Sequence, residues 1–163
     1  MRVGLGYDVH ALREGRCLRL GGVDIPFEAG LDGHSDADVL VHALMDALLG
    51  AAGLGDIGTF FPDSDERYLG IDSMKLLGEV ARMIGEKGYR LVNCDCIIVA
   101  QRPKLKDYIP DMRIRIAEVL GADPSDIGIK ATTEEHLGFT GDMSGMKAYA
   151  VCMIDDIKDK ERI

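Results

Sequence analysis

The sequence has few positive charges, no long apolar run and no paired cysteine motif, and each absence excludes a class of protein. Nineteen lysine and arginine residues stand against 28 aspartate and glutamate residues, which gives a formal net charge of -9. A net negative charge of this size repels the phosphate backbone of DNA or RNA, so we expect no nucleic-acid partner. No segment reaches the roughly 18 consecutive apolar residues that indicate a membrane span, so we expect no membrane partner.

The four cysteines, Cys17, Cys94, Cys96 and Cys152, include no C-x-x-C pair. We therefore expect reduced thiols rather than a disulfide framework. One face of a predicted strand is expected to carry Val92, Cys94, Cys96, Ile98 and Ala100, which favours a core role for the two cysteines over metal binding. The first ten residues, MRVGLGYDVH, contain no apolar stretch of the kind found in secretory signals, so we expect a cytoplasmic protein.

A chain of 163 residues is long enough for one domain with its own core. Hydrophobic periodicity predicts the order β-β-α-α-β-α-β-β, which is not a regular βαβ alternation. We therefore predict an α+β fold, with a mixed β-sheet and helices packed on one side. The predicted elements are strands 2–10 and 17–25, helices 36–50 and 72–88, strand 90–100, helix 108–121, and strands 126–133 and 145–155.

The segment GHSDADVLVHALMDALLGAAGLGDIG, residues 33–58, reads as an apolar helix that carries polar residues. Ser35 and Asp38 fit the S-x-x-D capping signature, so they predict the start of the helix. Asp38, His42 and Asp46 then form one stripe at i, i+4 and i+8. A lone histidine on such a helix is usually a hydrogen-bonded core residue, and that alternative stays open. His34 and Ser35 would lie at the helix N-terminus, where free N–H groups favour an anion.

The motif YDVH changes the interpretation of His42. Asp8 and His10 lie two residues apart on a predicted strand, so both side chains point to the same face. With His42 they form an Asp-His-His set, and three protein ligands with an open fourth position are typical of catalytic zinc sites. Asp46, one turn beyond His42, is predicted to orient its ring.

Three loops could contribute to a ligand pocket, although solvated turns are the alternative for each. GDIGTFFPDSDE offers the carboxylates of Asp56, Asp63 and Asp65 to hydroxyl groups and the backbone near Gly58 to a ligand. AQRPKLKD is a basic loop at the end of a strand, suited to a base or a phosphate. IKATTEEHLGFTGD combines hydroxyl groups for phosphate with carboxylates for Mg²⁺.

Together these segments resemble the 2-C-methyl-D-erythritol 2,4-cyclodiphosphate synthases, enzymes of non-mevalonate isoprenoid biosynthesis. The resemblance rests on GYDVH, GHSDADVLVHALMDALLGAAGLGDIG, FFPDSD and KATTEEHLGFTG, and it covers nearly the whole chain in order. It implies a single synthase domain over residues 1–163 that cyclises 4-diphosphocytidyl-2-C-methyl-D-erythritol 2-phosphate with release of CMP. It also implies a homotrimer whose sheets face the trimer core and whose active sites lie between subunits.

The resemblance assigns roles to individual residues. It implies that Zn²⁺ or a similar divalent ion binds Asp8, His10 and His42, and that Mg²⁺ or Mn²⁺ binds Glu135 together with the substrate diphosphate. His34 and Thr133 would stabilise the transition state. The remaining implied substrate contacts are Ser35, Asp56, Ile57, Gly58, Phe61, Asp63, Asp65, Ala100, Lys104, Leu105, Lys106, Thr132 and Phe139.

Asp142 departs from the resemblance, because a basic or glutamate side chain is expected after GFTG. An aspartate there disfavours binding of an isoprenoid diphosphate in a trimer-axis cavity. The metal and nucleotide assignments do not depend on this position.

Two other functions fit parts of the pattern. A metal-dependent phosphohydrolase that uses zinc-bound water would share the Asp-His-His set, but it leaves KATTEEHLGFTG unexplained. A non-catalytic trimeric protein that binds a metal or an isoprenoid is the second alternative.

Overall fold

The computed structural model describes residues 1–157, so residues 158–163 of the predicted domain lie outside the described part. The strands are β1 (Arg2–Glu14), β2 (Leu18–Leu20), β3 (Val23–Ile25), β4 (Ala29–Leu31), β5 (Tyr89–Val99), β6 (Ile127–Thr132) and β7 (Gly145–Asp156). The helices are α1 (Val39–Ala52), α2 (Ile57–Phe60), α3 (Ser73–Glu86), α4 (Ile109–Leu120) and α5 (Gly138–Gly141), with 3₁₀ turns at Glu66–Tyr68 and Pro124–Asp126.

Five strands form the main sheet in the order β4-β1-β7-β5-β6. The β5-β6 pair is parallel and the other pairs are antiparallel, so the predicted mixed sheet is confirmed. The single strand predicted over residues 17–25 is instead a hairpin of β2 and β3. Its turn falls at Gly21 and Gly22, which both have positive φ angles. The sequence analysis did not anticipate the short elements β4, α2 and α5.

The predicted packing of helices on one side of the sheet is also confirmed, since α1 contacts β1, β5 and β7, α3 contacts β5, and α4 contacts β6. The backbones of β1 and α1 approach very closely. A Cβ atom added to Gly6 would lie 1.9 Å from the carbonyl oxygen of Ala43, and one added to Gly4 would lie 1.9 Å from that of Ala47. Glycine is therefore needed at both positions, and this contact brings α1 against the strand that carries Asp8 and His10.

Helix α1 begins at Val39 rather than at residue 36, and Ser35 is not its N-cap. Asp38 is the N-cap, and its carboxylate accepts the N–H of Val41. The helix cannot extend further back because Ala37 has a φ of 57°, in the left-handed region. Ser35 instead accepts the N–H of Ala37 at 3.1 Å in the preceding turn. The polar residues before α1 thus form a tight turn that precedes the helix.

The fully buried carboxylate of Asp38 also joins α1 to the hairpin. It accepts the N–H groups of Gly21 at 3.0 Å and Gly22 at 2.8 Å. Burial raises its pKa to about 6, although these hydrogen bonds from the backbone favour the charged form. The side chain therefore ties the start of α1 to the turn between β2 and β3.

The caps of the other long helices match the sequence expectations. Asp72 caps α3 through the N–H of Met74, and Gly88 with φ 85° follows its end. In α4, Pro110 lies in the first turn and Gly121 ends the helix in the left-handed conformation.

Strand β5 alternates as predicted only in its second half. Cys94, Cys96 and Ile98 are buried, but Val92 does not share their face, and Leu91 is buried instead. A bulge between Leu91 and Asn93 causes the change, because it adds one residue and reverses the alternation on one side of it. Cys94, Cys96 and Cys152 are free thiols in the core, as expected, and burial raises the pKa of Cys152 to about 12.

On the opposite face of the sheet, β1 and β7 carry a patch of exposed large hydrophobic side chains. They are Val3, Leu5, Tyr7, Val9, Tyr149 and Val151. Within residues 1–157, no helix combines the length and apolar character that crossing a bilayer would require.

Candidate active site

Asp8, His10 and His42 meet where β1 packs against α1. Oδ2 of Asp8 lies 3.0 Å from Nε2 of His10 and 3.0 Å from Nδ1 of His42, and the two nitrogens are 3.2 Å apart. A tetrahedral zinc site with bonds of about 2.0–2.1 Å to nitrogen and oxygen separates its donors by roughly 3.3 Å. The three donors therefore fit a divalent cation with only small movements.

The outer nitrogen of each histidine has its own partner. Nδ1 of His10 lies 2.8 Å from the carbonyl oxygen of Asp32, which can only accept, so the ring proton belongs on Nδ1 and Nε2 is free. Nε2 of His42 lies 2.9 Å from Oγ of Ser73 and 3.2 Å from Oγ of Ser35. Partners of this kind orient metal-binding histidines in many proteins.

Asp46 does not orient His42, contrary to the sequence prediction. Its carboxylate accepts the N–H of Ile57 at 2.8 Å, which ties the start of α2 to α1. Burial raises the pKa of Asp46, and the hydrogen bond from Ile57 opposes that shift. The i, i+4 spacing predicted the correct face of the helix but the wrong partner.

The charges of the three donors favour an ionised Asp8. Burial favours its neutral form, but hydrogen bonds and charge from His10 and His42 outweigh that effect and lower the pKa of Asp8 to about 2. Burial lowers the pKa of His10, but the contact with Asp8 outweighs it and raises the pKa. Asp8 is therefore ionised at neutral pH and can serve as an anionic donor to a cation.

A small cavity of about 40 Å³ opens beside His42. Its lining includes most of the residues predicted in this half of the chain, namely His34, Ser35, Ile57, Phe61 and Asp63. Nε2 of His34 lies 3.1 Å from the carbonyl oxygen of Asp65. The structure therefore brings His34, the predicted catalytic histidine, and His42, a predicted metal ligand, to the same cavity.

Two of the predicted carboxylates are engaged within the chain. Asp56 caps α2 by accepting the N–H and the hydroxyl of Thr59, and Gly58 lies in the same turn. Asp65 is paired with Arg67, and this contact lowers its pKa. Substrate hydroxyl groups that bind these two carboxylates, as predicted, would have to share them with Thr59 and Arg67.

A larger cleft of about 520 Å³ lies at the C-terminal ends of the parallel strands β5 and β6. Ends of parallel strands are a frequent place for ligands in sheets flanked by helices. The predicted residues in its lining are Ala100, Lys104, Leu105, Lys106, Thr132 and Thr133. The cleft also contains Gln101 and Lys130, which lie in two of the predicted loops without an assigned role, and Ile109, which lies outside them.

The loop after β6 carries Glu135, which is exposed. Its carboxylate accepts the hydroxyl of Thr133 at 2.7 Å, and its φ of 51° is in the left-handed region. Left-handed backbone is uncommon for glutamate, and strain of this kind is often found at functional loops. The structure thus hydrogen-bonds Thr133, a predicted transition-state stabiliser, to Glu135, the predicted ligand of the second metal.

Next to this loop, Phe139 and Lys147 lie on the exposed face of the sheet. Nζ of Lys147 is 5.4 Å from the centre of the Phe139 ring and 2.7 Å from the carboxylate of Glu134. Asp142 accepts the N–H of Ser144 at 2.8 Å, and hydrogen bonds from the Ser144 side chain and backbone lower the pKa of Asp142. The expectation that this position does not bind an anion stays a prediction.

The side chains of Asp8, His10 and His42, called the metal cluster below for the cation they are predicted to bind, lie at the same end of the sheet as the larger cleft. The two do not meet within one chain. Asp8, Ala148, Ile98 and Ala131 are successive partners in one row across β1, β7, β5 and β6. Strands about 4.8 Å apart place β1 and β6 roughly 14 Å from each other. In the described part of the chain, the two cavities have no lining residue in common.

The fold and the donor set describe an α+β protein with a candidate site for a divalent cation and a separate cleft of about 520 Å³. The chain belongs to the YgbB family, which matches residues 1–155. The 2-C-methyl-D-erythritol 2,4-cyclodiphosphate synthase of Clostridium tetani is 59% identical over 155 residues, which cover 95% of this chain and 98% of that protein. The synthase of Desulfitobacterium hafniense is 59% identical over 94% of this chain and 98% of its own length.

Solved structures give the same result. A CDP-bound form of 2C-methyl-D-erythritol-2,4-cyclodiphosphate synthase is 38% identical, with a TM-score of 0.87 over 94% of this chain and 100% of that chain. The bifunctional IspDF of Campylobacter jejuni is 45% identical, with a TM-score of 0.92 over 95% of this chain and 42% of that longer chain. The predicted family resemblance is therefore confirmed.

Proposed function

We propose that this chain converts 4-diphosphocytidyl-2-C-methyl-D-erythritol 2-phosphate into 2-C-methyl-D-erythritol 2,4-cyclodiphosphate and CMP. The observation that carries the proposal is the convergence of Asp8, His10 and His42, at the same end of the sheet as a nucleotide-sized cleft. The named activity of relatives that match nearly the whole chain supports it.

The reaction needs alignment and charge rather than a strong base. An oxygen of the 2-phosphate forms a bond to the β-phosphorus, and the bond from that phosphorus to the CMP oxygen breaks. A phosphate monoester has its second pKa near about 6, so the attacking group is already ionised at neutral pH. The chain therefore has to hold two negative groups close together and offset the charge that develops.

The donor set fits Zn²⁺ or a similar ion at Asp8, His10 and His42, and Glu135 would hold Mg²⁺ or Mn²⁺ together with the diphosphate. Such ions, when bound, supply positive charge to phosphoryl oxygens. His34, Ser35 and Thr133 would donate hydrogen bonds to those oxygens. Thr132 and the loop from Ala100 to Lys106 would hold the phosphate and the cytosine of the nucleotide.

The other predicted contacts would enclose the sugar-like part of the substrate. They are Asp56, Ile57, Gly58, Phe61, Asp63, Asp65 and Phe139. Ile57, Phe61 and Asp63 already line the small cavity beside His42, which supports this placement. Gly58 lies one residue beyond Ile57 in the first turn of α2.

We further infer that the functional unit is a cytoplasmic homotrimer with active sites between subunits. Two observations support the trimer. The exposed apolar face of β1 and β7 lacks a covering element among residues 1–157, and a second chain would shield it from water. The separation of the cleft from the metal cluster within one chain is removed if neighbouring subunits contribute one half each.

Phosphorus NMR of the purified protein with the CDP-linked 2-phosphate substrate and Mg²⁺, with and without a zinc chelator, tests the proposal. We expect a cyclic diphosphate and CMP in equal amounts, and we expect both to disappear on chelation. CMP with a linear product would instead identify a phosphohydrolase. Absence of any new resonance would contradict the proposed turnover and favour the non-catalytic binding protein as the alternative to test.

A further inference from the structure

We propose that Ser73 and Asp36 are positioning residues that keep the ring proton of His42 on Nε2, so that Nδ1 stays free for a divalent cation. This inference rests on the metal site of the proposed function and explains how the fold prepares that site. Neither residue was selected from the sequence, and neither contacts the cation donors of Asp8 or His10.

Asp36, Ser73 and His42 form a chain of hydrogen bonds in which the donor and the acceptor of each bond are fixed. Oγ of Ser73 lies 2.9 Å from Nε2 of His42 and donates its own proton to the carboxylate of Asp36. A carboxylate has no proton to give, so the Ser73 hydroxyl is committed to Asp36. The Ser73 oxygen can therefore only accept at its other side, and the matching donor is the N–H at Nε2 of His42.

This direction matters because Asp8 acts on the other ring nitrogen. Its carboxylate lies 3.0 Å from Nδ1 of His42 and, taken alone, would attract the ring proton to that nitrogen. A proton on Nδ1 blocks metal binding, since the metal needs the nitrogen lone pair. An acceptor at Nε2 opposes Asp8 and favours the form of the ring that can bind a cation.

Asp36 is itself held in place. One carboxylate oxygen takes the Ser73 hydroxyl, and the other accepts the backbone N–H of Ser73 at 3.1 Å. Nη1 of Arg19 lies 3.6 Å from the second oxygen. Ser73 is completely buried and only 15% of the Asp36 side chain is exposed, so water cannot easily replace either group.

Ser35 cannot set the proton position in the same way. Its Oγ lies 3.2 Å from Nε2 of His42 and accepts the N–H of Ala37. No carboxylate holds the Ser35 proton among its described contacts, so this hydroxyl can either donate to Nε2 or accept from it. Ser73 differs because Asp36 decides its direction.

Asp36→Asn should reverse the direction. If the amide oxygen keeps the backbone N–H of Ser73, the amide NH₂ points at the Ser73 hydroxyl. That hydroxyl then turns its proton toward Nε2 of His42, and the ring proton moves to Nδ1, where it competes with the cation. Ser73→Ala only removes the acceptor and leaves the adaptable Ser35, so its effect should be smaller.

Zinc affinity, measured by competition with a chromogenic chelator, tests the proposal on the full chain. We expect Asp36→Asn to weaken zinc binding by about 10-fold to 100-fold, the range found for residues that support metal ligands. Ser73→Ala should weaken it less, and adding Ser73→Ala to Asp36→Asn should restore the affinity to the Ser73→Ala level. A purely structural role for Asp36 would not give this restoration.

Asp72→Asn is the matched control, because it removes the same charge one residue from Ser73 while asparagine still caps α3. Its zinc affinity should stay within about twofold of the wild-type value, as expected for a surface charge change. Equal affinities for Asp36→Asn and Asp72→Asn, or a double variant weaker than both single variants, would overturn the proposal. A wild-type protein that binds no zinc would overturn the proposed metal site as well, so the two failures are distinguishable.

Discussion

The metal cluster and the loop that carries Glu135 are two parts of one candidate site, and the chain holds them very differently. Side chains of Asp8, His10 and His42 are at most 22% exposed, and both histidines have partners at their outer nitrogens. Glu135 is exposed, and its carboxylate contacts only Thr133 among the described side chains. One region is thus arranged by the fold, whereas the other is left adjustable for the substrate.

This difference agrees with the two roles proposed for metals. A resident cation needs donors that are in place before it binds, because ordering them on binding costs affinity. A cation that arrives with the diphosphate can take most of its ligands from phosphate oxygens and water, as Mg²⁺ usually does. A single exposed carboxylate is sufficient for the second role.

The largest effect expected is from His42→Ala, which removes a donor from the arranged region. We expect turnover to fall by at least about 1000-fold, at or beyond the loss caused by removing one transition-state hydrogen bond. Zinc content should fall to background while the circular dichroism spectrum is retained. Measurable cyclisation by a zinc-free variant would contradict the proposed role of the cluster.

Gly6→Ala should damage the same region through the backbone. The new Cβ would lie 1.9 Å from the carbonyl oxygen of Ala43, so α1 has to move away from β1. We expect the free energy of unfolding to decrease by about 3 kcal/mol, the upper end of the overpacking range, and zinc affinity to fall with it.

Gly50→Ala is the control for Gly6→Ala, because a Cβ there meets nothing within 4 Å and α1 should gain helix propensity. We expect the free energy of unfolding, measured by urea denaturation, to increase by about 0.5–1 kcal/mol. Equal stabilities of the two variants would show that the close approach of β1 and α1 is not needed.

Glu135→Gln tests the adjustable region and should have a smaller effect. Because the amide keeps the hydrogen bond with Thr133 but loses the charge, we expect the Mg²⁺ concentration for half-maximal rate to rise about 10-fold, with zinc affinity unchanged. Glu134→Gln is the neighbouring control, since Glu134 pairs with Lys147. This substitution should leave the Mg²⁺ titration unaltered. Identical titrations for all three proteins would remove Glu135 from the proposed metal role.

The sequence predicted what depends on local pattern and missed what depends on distant contacts. The face shared by Asp8 and His10 follows from strand alternation, and the mixed sheet follows from the order of elements. The left-handed Ala37 and the bulge near Val92 have no comparable signal, and they moved the start of α1 and the alternation of β5. The contact of Ser73 with His42 joins residues 31 positions apart, which no spacing rule connects.

Asp46 shows the same limit most clearly, and its substitution is expected to have the smallest effect. Spacing predicted that Asp46 orients His42, but in the structure its carboxylate accepts the N–H of Ile57. Asp46→Asn keeps an oxygen for that N–H, so zinc affinity should stay within about twofold, a difference worth less than about 0.5 kcal/mol. A loss of 10-fold or more, measured beside Asp36→Asn with the same chelator, would restore the helix-spacing interpretation and weaken the assignment of orientation to Ser73.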